Sequence, residues 1–321
     1  MKATGFLRIV RPGLLTTVQD LGRWSHQLEA VPVAGAMDIY SHRLANHLVG
    51  NAPEAATLEI TLIGPELVVE ADTVMAVAGA DFDLTCGNRA VASGSTFAAR
   101  RGEVLRFGRR HLGARAYLAV AGGGILTPPV LGSRATHTIT RMGGLDGRAL
   151  AAGDEVPVAP AATCPSNRAR GLTLPTGGRA RLRVMPGPQD DWFGPDAWQA
   201  LTSVSFRISP RSNRMGYRLE GPPLEHARPD EPISEPVTMG AIQVPAAGEP
   251  ILLMADRQTA GGYPKIGHVI TADLCLAAQL TPGEFIEFDR CSYREAVAAL
   301  IARERELMAQ MTHPREGRTV Q

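Results

Sequence analysis

LEITLIGPELVVEADTVMAVA, residues 58–78, is a succession of short apolar runs separated by turn and polar residues. Leu67-Val68-Val69 and Val74-Met75-Ala76-Val77-Ala78 are bounded on both sides by such residues and read as strands. The pattern extends in both directions. Phe6 to Val10 reads as a strand punctuated by Pro12-Gly13. Cys86-Gly87-Asn88-Arg89 reads as a hairpin tip. Val104 to Phe107 and Ala116 to Val120 are two further strands, and Gly122-Gly123-Gly124 ends the series. One helix interrupts it, with Asp38 as N-cap, Ile39, Leu44, Ala45 and Leu48 at helical spacing, and Gly50 as the stop. In the second half Leu182 to Val184, Val204 to Ile208, Ile251 to Met254 and Phe285 to Phe288 read as strands, with a short helix near Pro195 to Leu201. A closing helix is announced by Ser292-Tyr293-Arg294-Glu295, a capping-box sequence. Its apolar stripe, Ala296, Val297, Leu300, Ile301, Leu307 and Met308, reads as a core-facing side. Residues 313–321 are polar and read as a frayed end.

A chain of 321 residues suits two domains. We place the first at 1–160, a linker rich in Ala, Pro, Thr, Arg and Gly at 161–180, and the second at 181–312. Glycine (34) and proline (24) among few aromatics fit many turns and short strands. A formal net charge of +1 argues against a nucleic-acid partner. Cys86, Cys164, Cys275 and Cys291 form no CxxC pair and read as reduced cysteines. The first residues lack the apolar core of a secretory signal, and no run approaches the roughly 20 apolar residues of a membrane span. The expected compartment is the cytoplasm. Gly64-Pro65-Glu66-Leu67 is echoed by Gly221-Pro222-Pro223-Leu224, and residues 102–107 (GEVLRF) by 283–288 (GEFIEF). The echoes suggest two related β domains, with residues 232–268 as an insertion in the second.

Candidate chemistry concentrates in MADRQTAGGYPKIG, residues 254–267. An apolar strand delivers Asp256, Arg257, Gln258 and Thr259. Gly261-Gly262 permits close approach to a ligand, and Tyr263 and Lys265 follow. Upstream, Ser234 and Glu235 precede Pro236, and Gln243 lies inside an apolar run where its amide needs partners. In residues 212–218, Arg214 and Arg218 flank Gly216 and Tyr217 and can grip a carboxylate or phosphate. Elsewhere Asp20 and Arg23 are expected to pair across a turn. His42 and His47, five residues apart, read as helix-surface residues on different faces. No phosphate loop, GxGxxG, GxSxG or HExxH sequence is present, and no metal ligand set is expected.

The chain resembles the KipA family, also called allophanate hydrolase subunit 2, the biotin-dependent carboxyltransferase-like family and the C subunit of 5-oxoprolinase. The likeness rests on GLLTTVQDLGR (13–23), VPVAGAMD (31–38), GSRATHT (132–138), SNRMGYRLEGPPL (212–224), SEPVTMGAIQVPAAGEPILLMADRQTAGGYPKIG (234–267) and AQLTPGEFIEF (278–288). It implies a mainly β chain of two cyclophilin-like β-barrel domains, with a few short helices and a C-terminal helix. It implies a KipI or allophanate hydrolase subunit 1-like partner, and with it a LamB/YcsF-like subunit in an ATP-dependent 5-oxoprolinase that opens the lactam of 5-oxoproline to glutamate. ATP and Mg²⁺ would act at the level of that complex. One alternative is the carboxyltransferase component of a biotin-dependent urea or amide carboxylase, with biotin carried by a partner. A second is a non-catalytic regulator that binds a KipI-like kinase inhibitor. Activated amide chemistry needs cations and donors at the carbonyl oxygen. Arg214, Arg257 and Lys265 are therefore expected to stabilise charge, Asp256 and Glu235 to act as bases, and Tyr217, Gln243, Gln258, Thr259, Gly261, Gly262 and Tyr263 to hold the substrate.

Overall fold

A computed structural model describes residues 5–161, 167–228 and 232–312. The expected polar end at 313–321 and residues 162–166 near the start of the expected linker, Cys164 among them, lie outside the described residues. The chain is mainly β and divides into two compact units, one of Met1–Arg23, Ala34–Leu174 and Arg305–Gln321, the other of Trp24–Val33 and Pro175–Glu304. Residues 24–33 thus group with the second unit and residues from 305 with the first, each the reverse of the sequence-based division.

The first unit contains β1 (Gly5–Arg11), β2 (Leu15–Gln19), α1 (Ile39–Leu48), β3 (Thr57–Thr61), β4 (Glu66–Val69), β5 (Thr73–Cys86), β6 (Arg89–Val91), β7 (Thr96–Ala99), β8 (Val104–Val120) and β9 (Glu155–Val158). Its strands form one curled nine-stranded sheet with the order β2-β3-β8-β4-β1-β9, and β5 pairs with β6, β7 and β8. Alternation explains the core: Leu7, Ile9, Leu67, Val69, Met75, Val77, Leu105 and Leu118 all turn to one side and are buried together. The runs at 104–107 and 116–120 prove to be the two ends of a single 17-residue strand. The polar stretch between them continues because the backbone ladder to β5 does not depend on side-chain polarity, and bulges between Gly79 and Leu84 absorb the mismatch. The hairpin tip falls where expected, with Cys86 opposite Arg89 and Gly87 at φ 57°.

Asp38 caps α1 as expected. Its carboxylate accepts from the Ser41 N–H at 2.9 Å and from the Ser41 hydroxyl at 2.6 Å, all in a buried setting. Asp38→Ala is expected to cost about 1–2 kcal/mol of stability, seen as a lower urea midpoint; an unchanged midpoint would show that the cap is redundant. Two readings near this helix are corrected. His42 is fully buried rather than on the helix surface, between the Thr57 hydroxyl and the Pro53 carbonyl. Asp20 does not bond to Arg23: its carboxylate accepts from Gly22 N–H, the Ser133 hydroxyl and Arg134 N–H. Arg23 instead donates to the Val130 and Ala135 carbonyls.

The second unit holds β10 (Arg179–Pro186), α2 (Pro195–Ser203), β11 (Ser205–Ile208), β12 (Gly216–Glu220), β13 (Glu235–Pro236), β14 (Ala241–Gln243), β15 (Ile251–Leu253), β16 (Ala260–Gly261), β17 (Lys265–Val269), α3 (Thr271–Ala277) and β18 (Phe285–Arg290). Seven of its strands close a barrel in the order β10-β17-β14-β15-β12-β11-β18, joined by a parallel β10–β18 pair. Residues 232–268 are therefore no insertion, since they supply three barrel strands. Of the two echoes, one is structural. At both Arg100–Glu103 and Thr281–Glu284 the glutamate carboxylate accepts the N–H three residues back, with Gly102 at φ 86° and Gly283 at φ 93°, and a strand follows. The other pair is not equivalent, because Gly64-Pro65 precedes β4 whereas Gly221-Pro222 follows β12.

α4 (Tyr293–Thr312) begins with the expected capping box: Ser292 N–H donates to the Glu295 carboxylate and Glu295 N–H to the Ser292 hydroxyl. Its apolar stripe is corrected. Ala296 and Leu307 are buried, but Val297, Leu300, Ile301 and Met308 are 37–59% exposed. Periodicity identifies a face; it does not say whether anything covers it.

Candidate functional site

Four adjacent barrel strands build the site. Arg218 on β12 lies opposite Ile251 on β15, Ile251 opposite Gln243 on β14, and Gln243 opposite Lys265 on β17. Residues opposite one another share a sheet face. Their chain neighbours Tyr217, Leu252 and Ile242 are buried in the barrel, so the row Arg218–Ile251–Gln243 lies on the outer surface.

A two-stranded ribbon covers part of that surface. β13 pairs with β16 through Glu235 opposite Gly261 and Pro236 opposite Ala260. Val237 N–H donates to Thr259 O at 3.1 Å, and the Val237 side chain packs on Ala241, Leu253 and Ile251. Gly261 is required by proximity: a Cβ there would lie 2.7 Å from Gln243 Nε2 and 3.1 Å from Gln258 Nε2. Gly262 faces Ser234, whose hydroxyl a Cβ would approach to 3.2 Å. Neither glycine has a left-handed φ, so close approach is their role here.

Lys265 is 2% exposed, and its ammonium lies 2.5 Å from Glu235 Oε1. The contact is an ion pair, yet its direction is not that of a hydrogen bond, and Lys265 Nζ makes no directed one among the described residues. The charge pairing is the stronger statement, because Coulomb attraction does not depend on N–H direction. Lys265 first, then Gln189, holds the Glu235 carboxyl below the usual range. Gln189 ties the group together: its Nε2 donates to Glu235, and its Oε1 accepts the backbone N–H of Lys265 at 3.1 Å. His268 stands beside them, its Nδ1 3.2 Å from the Thr238 hydroxyl, and burial together with the Lys265 charge lowers its pKa. Glu235 is thus ionised and already paired.

Arg214 and Asp256 are committed to each other. Nε and Nη2 of Arg214 each donate to one carboxylate oxygen at 2.9 Å, with both side chains buried. This bidentate clamp, with Asp256 N–H bonded to Arg214 O, ties the turn before β12 to the chain leaving β15. An Asp256 so occupied is a structural anion rather than a base. Tyr217 is also a core residue, with its hydroxyl 3.4 Å from Leu280 O. Arg257 differs. It is buried, and its Nε donates to Val237 O at 3.3 Å; no carboxylate lies within ion-pair distance among the described residues. Burial lowers its pKa, against the pull of neighbouring Asp256.

Beside the ribbon opens a cavity of ≈ 230 Å³, lined by Arg211, Arg218, Gln243, Ile251, Gln258 and Tyr263 among others. Gln243 is 1% exposed; its Oε1 accepts from Gln258 Nε2 at 3.2 Å, while its own Nε2 has no partner among the described residues. Among the described residues no carboxylate lines the cavity. Such a wall of donors and cations over an apolar floor suits a small ligand rich in carbonyl or carboxylate oxygen. The structure therefore gathers Gln243, Gln258 and Tyr263 in one pocket, sets Lys265 and Glu235 in the cluster beside it, and places Arg214, Asp256 and Tyr217 in the supporting structure. Sequence reasoning missed Gln189 and Arg211. Gln189 follows a strand in an ordinary Pro-Gly-Pro turn and carries no local signal; Arg211 sits one residue before the arginine-bearing stretch 212–218. Among the described residues no three His, Cys, Asp or Glu side chains gather as a metal ligand set.

The fold and this site define a class: the model of the carboxyltransferase domain, subdomain A and B, matches residues 29–290, and the chain belongs to that family. The protein is 40% identical over 293 residues to the C subunit of 5-oxoprolinase from Escherichia coli, a match that covers 91% of this chain and 94% of that one. It is 32% identical over 312 residues to urea amidolyase of Lachancea kluyveri, covering 90% of this chain but 17% of the relative. The crystal structure of the K. lactis urea amidolyase superposes with a TM-score of 0.89 at 32% identity, over 97% of this chain and 20% of that one. The chain thus spans nearly all of a 5-oxoprolinase subunit and about a fifth of a urea amidolyase. The family expected from the motifs is the family found.

Proposed function

We propose that this chain is the C subunit of an ATP-dependent 5-oxoprolinase, and that the pocket between Arg218 and Gln243 receives the lactam. The observation that carries this reading is the buried Gln243 Nε2, which among the described residues has no partner, beside a cavity that no described carboxylate lines. A buried amide donor without a partner is costly and suits a carbonyl oxygen arriving from a ligand. The nearly full-length match to a 5-oxoprolinase subunit supports the same reading. Activation of the lactam oxygen by phosphorylation or carboxylation builds negative charge there, and Gln243, with Lys265 opposite it on β17 and the buried Arg257, would stabilise it. Amides and guanidinium groups suit anionic oxygens and offer no carboxylates for Mg²⁺. ATP and Mg²⁺ therefore belong, on this proposal, to the partner subunits, one KipI-like and one LamB/YcsF-like, in the cytoplasm. No helix among the described residues is long and apolar enough to cross a membrane.

The likeness to urea amidolyase favours a second reading, a carboxyltransferase component whose biotin is brought by another domain or subunit. Co-expression with the partner subunits and an ATP-dependent assay of glutamate formation separates the two. Gln243→Leu is expected to lower kcat/KM for 5-oxoproline by roughly 10²-fold or more, as for loss of a donor to a developing oxyanion. Consumption of ATP and bicarbonate with urea, while 5-oxoproline stays inert, would establish the carboxyltransferase reading instead. Tight partner binding with no turnover of either substrate would leave the regulator.

A further inference from the structure

The pocket has two ends. At one lies Gln243, whose buried amide nitrogen has no partner among the described residues. At the other, Arg218 is exposed on β12 with no carboxylate within ion-pair distance among the described residues. Arg211 stands beside it at the rim, 3.7 Å from Glu249 with both side chains more than half exposed, a pairing too solvated to hold it firmly. Asn213 faces the same space, its Oδ1 occupied by Met215 N–H at 2.8 Å. A lining that holds cations at one end, with no acid among its described residues, attracts an anion to that end. Arginine's planar fork then binds a carboxylate bidentately.

Register gives the spacing. Arg218 and Gln243 are both opposite Ile251, on the strands either side of β15. Two strand separations put their backbones about 10 Å apart, and both side chains line the space over the half-buried Ile251. A ligand laid across Ile251 therefore places a carbonyl at Gln243 and a carboxylate a few bonds away at Arg218, with its methylene groups on the isoleucine. We propose that Arg218, assisted by Arg211, is the specificity residue of the site. It selects small amides and lactams that carry a carboxylate over neutral ones such as urea. The inference rests on the lactam reading given above and adds to it the part of the substrate that is recognised and the side chain that recognises it.

The test uses the reconstituted complex with 5-oxoproline and with 2-pyrrolidinone, the same lactam without its carboxylate. Wild type is expected to prefer 5-oxoproline by at least roughly 30–100-fold in kcat/KM, the size of a charge-assisted contact. Arg218→Gln should raise KM for 5-oxoproline by a similar factor, change kcat much less, and shrink the preference over 2-pyrrolidinone correspondingly. Arg218→Lys, which keeps the charge and loses the fork, should fall between. Because Arg218 is exposed on an edge of the pocket, retained thermal midpoints are expected to show that both variants fold; should either be unstable, Arg211→Gln with a smaller shift of the same sign gives the same readout. A wild type that turns over 5-oxoproline, with Arg218→Gln keeping full discrimination, overturns this inference alone. A wild type inert toward 5-oxoproline overturns the lactam reading and this one with it.

Discussion

Arg214→Met is expected to destabilise the second unit by about 3–5 kcal/mol, the cost of leaving a buried charge without its partner. The clamp with Asp256 is bidentate and almost wholly out of solvent, so water cannot replace the lost guanidinium. Asp256→Leu should be similarly damaging from the other side. The pair replaced together, Arg214→Met with Asp256→Leu, should recover most of the loss, since two apolar side chains of similar bulk remove both charges at once. Denaturant midpoints of the three variants decide the matter. A double variant no better than either single one would mean that the loss comes from the clamp's side-chain hydrogen bonds themselves and not from a charge left unpaired. The clamp also ties together two walls of the pocket, so the single variants should show a raised KM where they still fold.

Acid should weaken the first unit through His42. Its ring is completely buried, with Nε2 3.1 Å from the Pro53 carbonyl and Nδ1 2.9 Å from the Thr57 hydroxyl. A carbonyl can only accept, so Nε2 carries the proton, and Nδ1 accepts from Thr57. Asn46 Nδ2, 3.4 Å from Nε2, is satisfied by Ala55 O at 2.7 Å instead. Burial is the main cause that lowers the His42 pKa to about 4, against the opposing pull of Asp20 and Glu59. The unfolded chain takes up this proton near pH 6.5 and the folded chain only near pH 4. Stability is therefore full above pH 6.5 and is lost as pH falls toward 4, by about 3 kcal/mol in all. His42→Gln should start from lower stability at pH 7 and lose less on acidification, so that the gap to wild type narrows by about that amount by pH 4. Parallel acid profiles for the two proteins would assign the sensitivity to other groups.

Local features were legible and distant pairings were not. Asp38, Gly50 and Ser292-x-x-Glu295 mark helix ends because capping is settled within four residues. The mainly β character follows from short apolar runs between turns. The stretch 254–267 stood out because polar residues crowd a glycine loop, and Gln258 and Tyr263 do line the pocket. What Arg214 and Asp256 do could not be read, since each satisfies the other across 42 residues, and a charged side chain looks alike in sequence whether clamped or waiting. Tyr217 had the residue type of a ligand contact and the strand parity of the barrel interior, and parity prevailed. Helical spacing placed His42 and His47 on different faces but could not say which face would be covered. Inside 232–268 the strand at Ile251 to Met254 was legible and is β15, whereas β14, only three residues long, was hidden by its length.

The parallel pairing of β10 with β18 makes the first and last strands of the barrel neighbours, with Arg179 beside Phe285 and Val184 beside Arg290. During synthesis β10 emerges more than a hundred residues before the strand that must lie against it. Until then the nascent sheet has two raw margins, each able to recruit a foreign strand. The barrel consequently cannot close until the sequence through Arg290 has been made, and a chain truncated before β18 leaves the edges of β10 and β11 without the strand that covers them.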